Sequence, residues 1–151
     1  MELREATAAD AERLREIARA AYGIYVERMG WEPRPMTEDY AEVMGRFEVT
    51  VAEIDGATAG YAVFGPDEEG FVIDNVAVDP SRKGTGVGRA LIEHAEAAAG
   101  DAGNDSVYLY THETMTENIA LYERIGYSEY RRMAVGPAGD SEVVFMRKTL
   151  A

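Results

Sequence analysis

A chain of 151 residues, 46% of them hydrophobic, has the size of one domain with its own core. Its 28 acidic and 15 basic side chains leave a formal charge of −13, which argues against a nucleic-acid-binding surface as the main function. The absence of cysteine excludes disulfides, a thiolate nucleophile and thiolate metal sites; His94 and His112 are too far apart for a local ligand pair, so no metal is expected.

The first strand is expected at Glu2 to Ala6, followed by Thr7-x-x-Asp10, a capping-box pattern with Thr7 as N-cap. Ala11, Leu14, Ile17, Ala18 and Ala21 recur at helical spacing and predict a helix to about Ala21. Tyr22 to Met36 is aromatic, broken by proline and without strong period, so it reads as a shaped loop or short helix. Thr37 is placed to cap a second helix, in which Tyr40, Val43, Met44 and Phe47 share a face. Strands follow at Glu48 to Ile54 and Ala57 to Phe64, joined by Asp55-Gly56, a strong hairpin signal. After an acidic turn at Gly65 to Gly70, the apolar run Phe71 to Val78 reads as a third consecutive strand.

That run ends at Asp79-Pro80, and three alternating glycines, Gly84, Gly86 and Gly88, then open a helix whose face is Val87, Ala90, Leu91, Ala95 and Ala98. Alternate glycines let backbone N–H groups approach a ligand, and the helix start adds unpaired N–H groups and a positive dipole end. The stretch therefore reads as an anion cradle, with Lys83 and Arg89 supplying formal charge. A P-loop is excluded because no Lys-Ser/Thr follows the last glycine, and a dinucleotide fingerprint because Gly84-x-Gly86-x-Gly88 has the wrong last interval. A strand at Val107 to Thr111 is next, then Thr114-x-x-Glu117 as a second capping box opening a helix that Gly126 ends. Two last strands, Tyr127 to Val135 and Glu142 to Lys148, flank a Gly-Pro turn.

The order β α α β β β α β α β β predicts a single α/β domain over residues 1–151, with a mixed, mainly antiparallel sheet and helices on both faces. No apolar run reaches the length of a membrane span and the N-terminus lacks an apolar signal core, so a cytoplasmic protein without a membrane partner is expected. Only Lys83 and Lys148 are lysines, and the acids are spread along the chain. Such a surface suits solubility at high salt, and the other reading is a potential that attracts cationic amines.

At Val76-Ala77-Val78-Asp79-Pro80 and Lys83-Gly84-Thr85-Gly86-Val87-Gly88-Arg89 the chain resembles motif A of the GNAT (Gcn5-related N-acetyltransferase) superfamily, and the predicted element order is also similar to that fold. Lys83 stands where the family usually has Arg or Gln. Glu117 to Tyr127, with Leu121-Tyr122 and Gly126-Tyr127, is similar to its motif B. The resemblance implies acetyl-CoA as co-substrate, its pyrophosphate on the N–H groups of Gly84 to Arg89, Val87 included, and its pantetheine arm along Val76 to Val78. It implies Tyr122 as the acid that protonates the leaving thiolate, and an amine acceptor attacking directly in a ternary complex. Asn118, one helical turn before Tyr122, is a further candidate cofactor contact. Val72 and Tyr110 hold the places of the glutamates that some relatives use as general base, so Asp74, His112 or a water chain remains for that role. Tyr25, Glu27, Arg28, Met29 and Trp31 fall where the family places its variable acceptor-binding loop. The alternative function is a non-catalytic acyl-CoA-binding or regulatory domain, and homodimers are common in families of this kind.

Overall fold

The computed structural model describes all 151 residues. Strands β1 (Glu2–Glu5), β2 (Glu48–Ile54), β3 (Ala57–Asp67), β4 (Gly70–Val78), β5 (Ser106–His112), β6 (Ser128–Val135) and β7 (Ser141–Thr149) form one sheet in the order β1-β2-β3-β4-β5-β7-β6. All neighbours are antiparallel except β4 and β5. The helices are α1 (Ala11–Tyr22), α2 (Val26–Met29), α3 (Tyr40–Val43), α4 (Val87–Asp101) and α5 (Thr116–Ile125). No helix is long and apolar enough to cross a membrane.

The two sheet faces carry two cores. On one, Leu91, Ile92 and Ala95 of α4 and Ile125 of α5 pack on Phe64, Ile73, Leu109 and Met146. On the other, Leu14, Ile17 and Ala18 of α1 and Tyr40 and Val43 of α3 cover Val49, Val51, Tyr61 and Val63. The start of α4 approaches the sheet closely because residue 60 is glycine: a Cβ there would lie 2.8 Å from Ala77 O and 3.0 Å from a Val87 methyl.

The Asp55-Gly56 hairpin forms as expected, with both residues at positive φ (52° and 79°), the conformation a two-residue turn needs. The Asp10 carboxylate accepts from the Thr7 N–H at 2.8 Å, though a 3-10 turn precedes α1. Three expectations are corrected. β3 runs on through Gly65 to Asp67, and the acidic turn shrinks to Glu68-Glu69, closed by Asp67 Oδ1 accepting from the N–H groups of Glu69 and Gly70. α3 is capped by Asp39, whose Oδ1 accepts from Ala41 and Glu42, while the Thr37 hydroxyl turns back to Arg34 O. Thr114 does not cap α5: the helix starts at Thr116, Thr114 bonds the His112 ring, and Glu117 pairs with Arg28.

Candidate active site

The glycine turn is shaped by its backbone. Asp79, bonded to Arg13 at 2.7 Å, accepts from the Ser81 N–H and closes the turn after β4. Gly84 (φ 80°) and Gly86 (φ 85°) are both in the left-handed region that L side chains resist, and Gly86 is the residue before α4. None of the N–H groups from Gly84 to Arg89 donates to another protein group, so six donors and the positive end of a 15-residue helix converge there. Lys83 is exposed and makes no ion pair, and Arg89 has only a 3.9 Å contact with Glu93. Gly88 differs from the other two: a Cβ there would make ordinary contact with Val78 at 3.5 Å.

β4 links this turn to a cleft. Its register against β3 passes from Val63↔Asn75 to Phe64↔Ile73, which leaves Asp74 as an extra, bulged residue. β4 pairs with β5 only at Val72–Tyr108 and Ile73–Leu109, so beyond Ile73 the strands diverge and the β5-side edge of Asp74 to Val78 has no strand partner. The bulge turns Asn75, 5% exposed, into the core beneath α1. There its amide nitrogen donates to the Tyr40 and Tyr61 hydroxyls at 3.0 and 2.8 Å. The Tyr22 hydroxyl, donating, lies 2.9 Å from Asn75 Oδ1 and 3.0 Å from Val76 O. A polar side chain in an apolar strand is thus fully bonded, and the bulge is pinned from α1, α3 and β3.

Where the strands part lies a cavity of about 240 Å³. Met115, just before α5, and Asn118 and Tyr122 of α5 line it, with Asp74 to Val76 from β4, Tyr110 to His112 from β5, and Trp31, Pro33, Arg34 and Pro35 from the segment after α2. Val135, Gly136 and Val143 of the β6–β7 hairpin complete it. The Tyr122 ring packs on Tyr127, and its hydroxyl has no hydrogen-bond partner in the protein. Burial raises its pKa to about 12, so the phenol is protonated throughout the neutral range. Asn118 is on the same side of α5, its amide 3.8 Å from Met115 Sδ.

The two candidate bases are both at the cavity and both engaged. Asp74 accepts from Arg34 and Tyr110. His112 is 4% exposed, and its Nδ1 accepts from the Thr114 N–H at 3.2 Å with the Thr114 hydroxyl 2.8 Å away. Burial lowers its pKa, opposed by Glu113, so the ring is neutral with its proton on Nε2, which has no partner. The Trp31 ring meets the imidazole edge-on at 5.4 Å and lies so close over Gly136 that a Cβ there would be 2.9 Å away.

Of the five residues expected from the variable segment, Met29 and Trp31 line the cavity and three do not. Tyr25 is buried in the core beside Tyr22, Glu27 is exposed, and Arg28 is tied outside to Glu117 and Thr114 O. Tyr22, Arg34 and Asn75, which line the cavity, were missed. The signals were an arginine framed by Pro33 and Pro35 and an asparagine inside an apolar strand.

The Acetyltransferase (GNAT) family model matches residues 11–127. A mycothiol acetyltransferase from Thermobispora bispora is 41% identical over 66 residues, 44% of this chain and 21% of that protein. The [ribosomal protein bS18]-alanine N-acetyltransferase of Escherichia coli K12 is 28% identical over 99 residues, 66% of this chain and 65% of that one. The match thus spans less than two thirds of either curated relative. The paia N-acetyltransferase of Thermoplasma acidophilum, solved in complex with coenzyme A, superposes with a TM-score of 0.80 over 98% of each chain at 16% identity, a likeness of fold. With its family model matched across α1 to α5, the chain belongs to the acetyltransferase (GNAT) family.

Proposed function

We propose that the protein is an acetyl-CoA-dependent N-acetyltransferase acting on a primary amine by direct attack in a ternary complex. The observation that carries this reading is Tyr122: a protonated phenol without a protein partner, in a cavity that opens where β4 leaves β5. The pyrophosphate of acetyl-CoA would sit on the free N–H groups of Gly84 to Arg89, beside Lys83. Its pantetheine arm would follow the unpaired edge of Val76, Ala77 and Val78 into the cavity, with Asn118 at its side. A main-chain N–H of that edge is suited to the thioester oxyanion. The amine nitrogen bonds to the acetyl carbon, the carbon–sulfur bond breaks, and Tyr122 gives its proton to the departing thiolate. A departing thiolate needs an acid that still holds its proton at neutral pH, as this phenol does. Neither His112 nitrogen offers a free lone pair, so Asp74 and cavity water are the routes by which the ammonium loses its proton.

Mycothiol acetyltransferase and the ribosomal-protein acetyltransferase act, by their names, on very different acceptors. Only the general class, an amine, is therefore carried over to this chain. Titration with acetyl-CoA, followed by melting temperature, should show saturable stabilisation, and a panel of amines should then release free CoA. Stabilisation without release from any amine would favour a non-catalytic acyl-CoA-binding domain, and no stabilisation by any CoA species would sink both readings.

A further inference from the structure

Asp74, the bulged residue of β4, presents its carboxylate at the cavity with 11% of the side chain exposed. The Tyr110 hydroxyl donates to Oδ1 at 2.5 Å, and one nitrogen of Arg34, Nη2, lies 3.0 and 3.1 Å from the two carboxylate oxygens. The same nitrogen is 2.6 Å from the Tyr110 oxygen. A single cationic N–H₂ group is therefore inserted between a carboxylate and a phenol, without the parallel two-nitrogen fork of a strong arginine pair. The other nitrogen, Nη1, is held at 2.5 Å by Glu38, whose second oxygen is 3.8 Å from Arg46.

The two partners of this contact are unequally held. Arg34 comes from the loop after α2, its side chain is 46% exposed, and it keeps a carboxylate in Glu38 if it leaves Asp74. Asp74 is on a pinned strand, bonded to Tyr110, and cannot follow. The contact can therefore open from the half-exposed Arg34 side, with Glu38 keeping the guanidinium paired. We propose that Asp74 and Tyr110 form the ammonium anchor of the acceptor cavity, and that Arg34 is a built-in competitor occupying the place of the acceptor's ammonium until a primary amine displaces it. The neighbouring walls, Trp31, Met29, Pro33 and Val143, suit an amine with an apolar body. A carboxylate next to the amine would meet Asp74 and be repelled. Capture of such a carboxylate by Arg34 is the poorer use of it, because Asp74 and Glu38 already match its charge.

The inference deepens the N-acetyltransferase reading and rests on it for the acetyl donor, but it is tested by binding alone. Calorimetry of phenethylammonium and of phenylalanine is run with and without saturating CoA on the wild type, Arg34→Met, Arg34→Lys and Asp74→Asn, with folding checked by circular dichroism melts. Arg34→Met should bind phenethylammonium about five-fold tighter, the gain expected from removing one partly exposed ion pair. Arg34→Lys should remain near wild type, Asp74→Asn should lose the binding, and phenylalanine should bind more weakly than phenethylammonium throughout. Unchanged or weaker phenethylammonium binding in Arg34→Met, phenylalanine binding that depends on Arg34, or no amine binding in any folded variant would overturn the proposal. The preceding CoA titration reads the donor site separately, so amine binding without CoA binding would remove the acetyltransferase reading and leave the anchor.

Discussion

The two ends of the cleft are built by different means. The cradle end is main chain: six N–H groups, two left-handed glycines and one helix start, contributed by the single run Gly84 to Arg89. The acceptor end is side chain: Trp31, Arg34, Asp74, Tyr110, His112, Tyr122 and their neighbours arrive from several separate segments and meet only in the fold. A backbone device tolerates side-chain change in all but its glycines. A side-chain device can change its occupant with one substitution. The comparison predicts that variants at the two ends fail in separate measurements.

The largest separation is expected from Tyr122→Phe. The hydroxyl has no protein partner, so its removal costs the fold little, while losing the acid should lower kcat by about 100-fold or more. CoA affinity, measured by calorimetry, should stay at its wild-type value; undiminished turnover with chemistry rate-limiting would take Tyr122 out of the mechanism. Gly86→Val is the reciprocal case. A Cβ there meets nothing within 4 Å, but at φ 85° a left-handed β-branched residue costs about 1–2 kcal/mol or more, and the loop will reorganise. CoA should bind at least about ten-fold more weakly as the donors turn away, with phenethylammonium binding at the acceptor end unaffected. Equal loss at both ends would mean that the cleft is one cooperative unit.

The same division explains what was legible in the sequence. Local backbone chemistry was: Asp55-Gly56 gave the hairpin, Gly126 (φ 114°) ended α5, and the glycine run marked the cradle. Such signals act over a few residues and need no partner. Caps were less secure, because Thr and Asp compete for the same role. Asp39 is the residue immediately before α3, so it displaced Thr37; Thr114 is turned toward His112 Nδ1 instead of accepting from the first N–H groups of α5. The bulge at Asp74 was invisible, since an alternating pattern gives no sign of the extra residue until Val63 and Asn75 are seen to pair. Arg34 was missed because its meaning depends on Asp74 and Tyr110, 40 and 76 residues away.

Asn75→Ala tests what holds the cleft open. The substitution removes the donor to the Tyr40 and Tyr61 hydroxyls and one acceptor of Tyr22, leaving Tyr40 bonded to Tyr61 and Pro35 O, and Tyr22 to Val76 O. Losing these buried hydrogen bonds should cost about 2–3 kcal/mol, read as a lower denaturation midpoint at an unchanged denaturant slope. If the cradle is independent, CoA affinity corrected for the folded fraction will hardly change. A stability loss under about 0.5 kcal/mol would show that the bulge does not depend on this network.

The smallest effect concerns His112 and the pH dependence of the acceptor end. Burial lowers its pKa in the folded protein below the ordinary value of about 6.5, with Glu113 the one opposing charge. As pH falls below that value the unfolded chain takes up the proton first, so the unfolded state gains stability relative to the folded one. The contribution of a neutral His112 is therefore fully present above about pH 6.5 and is lost as pH falls through the folded value. Melting temperature should decline by a few degrees more in the wild type than in His112→Gln across that window, and the two curves should run parallel above it. The donors of the cradle are backbone N–H groups of Gly84 to Arg89, which do not titrate. Amine binding should consequently follow pH through the window while CoA binding stays level, and parallel decline of both would place the titrating group outside the acceptor cavity.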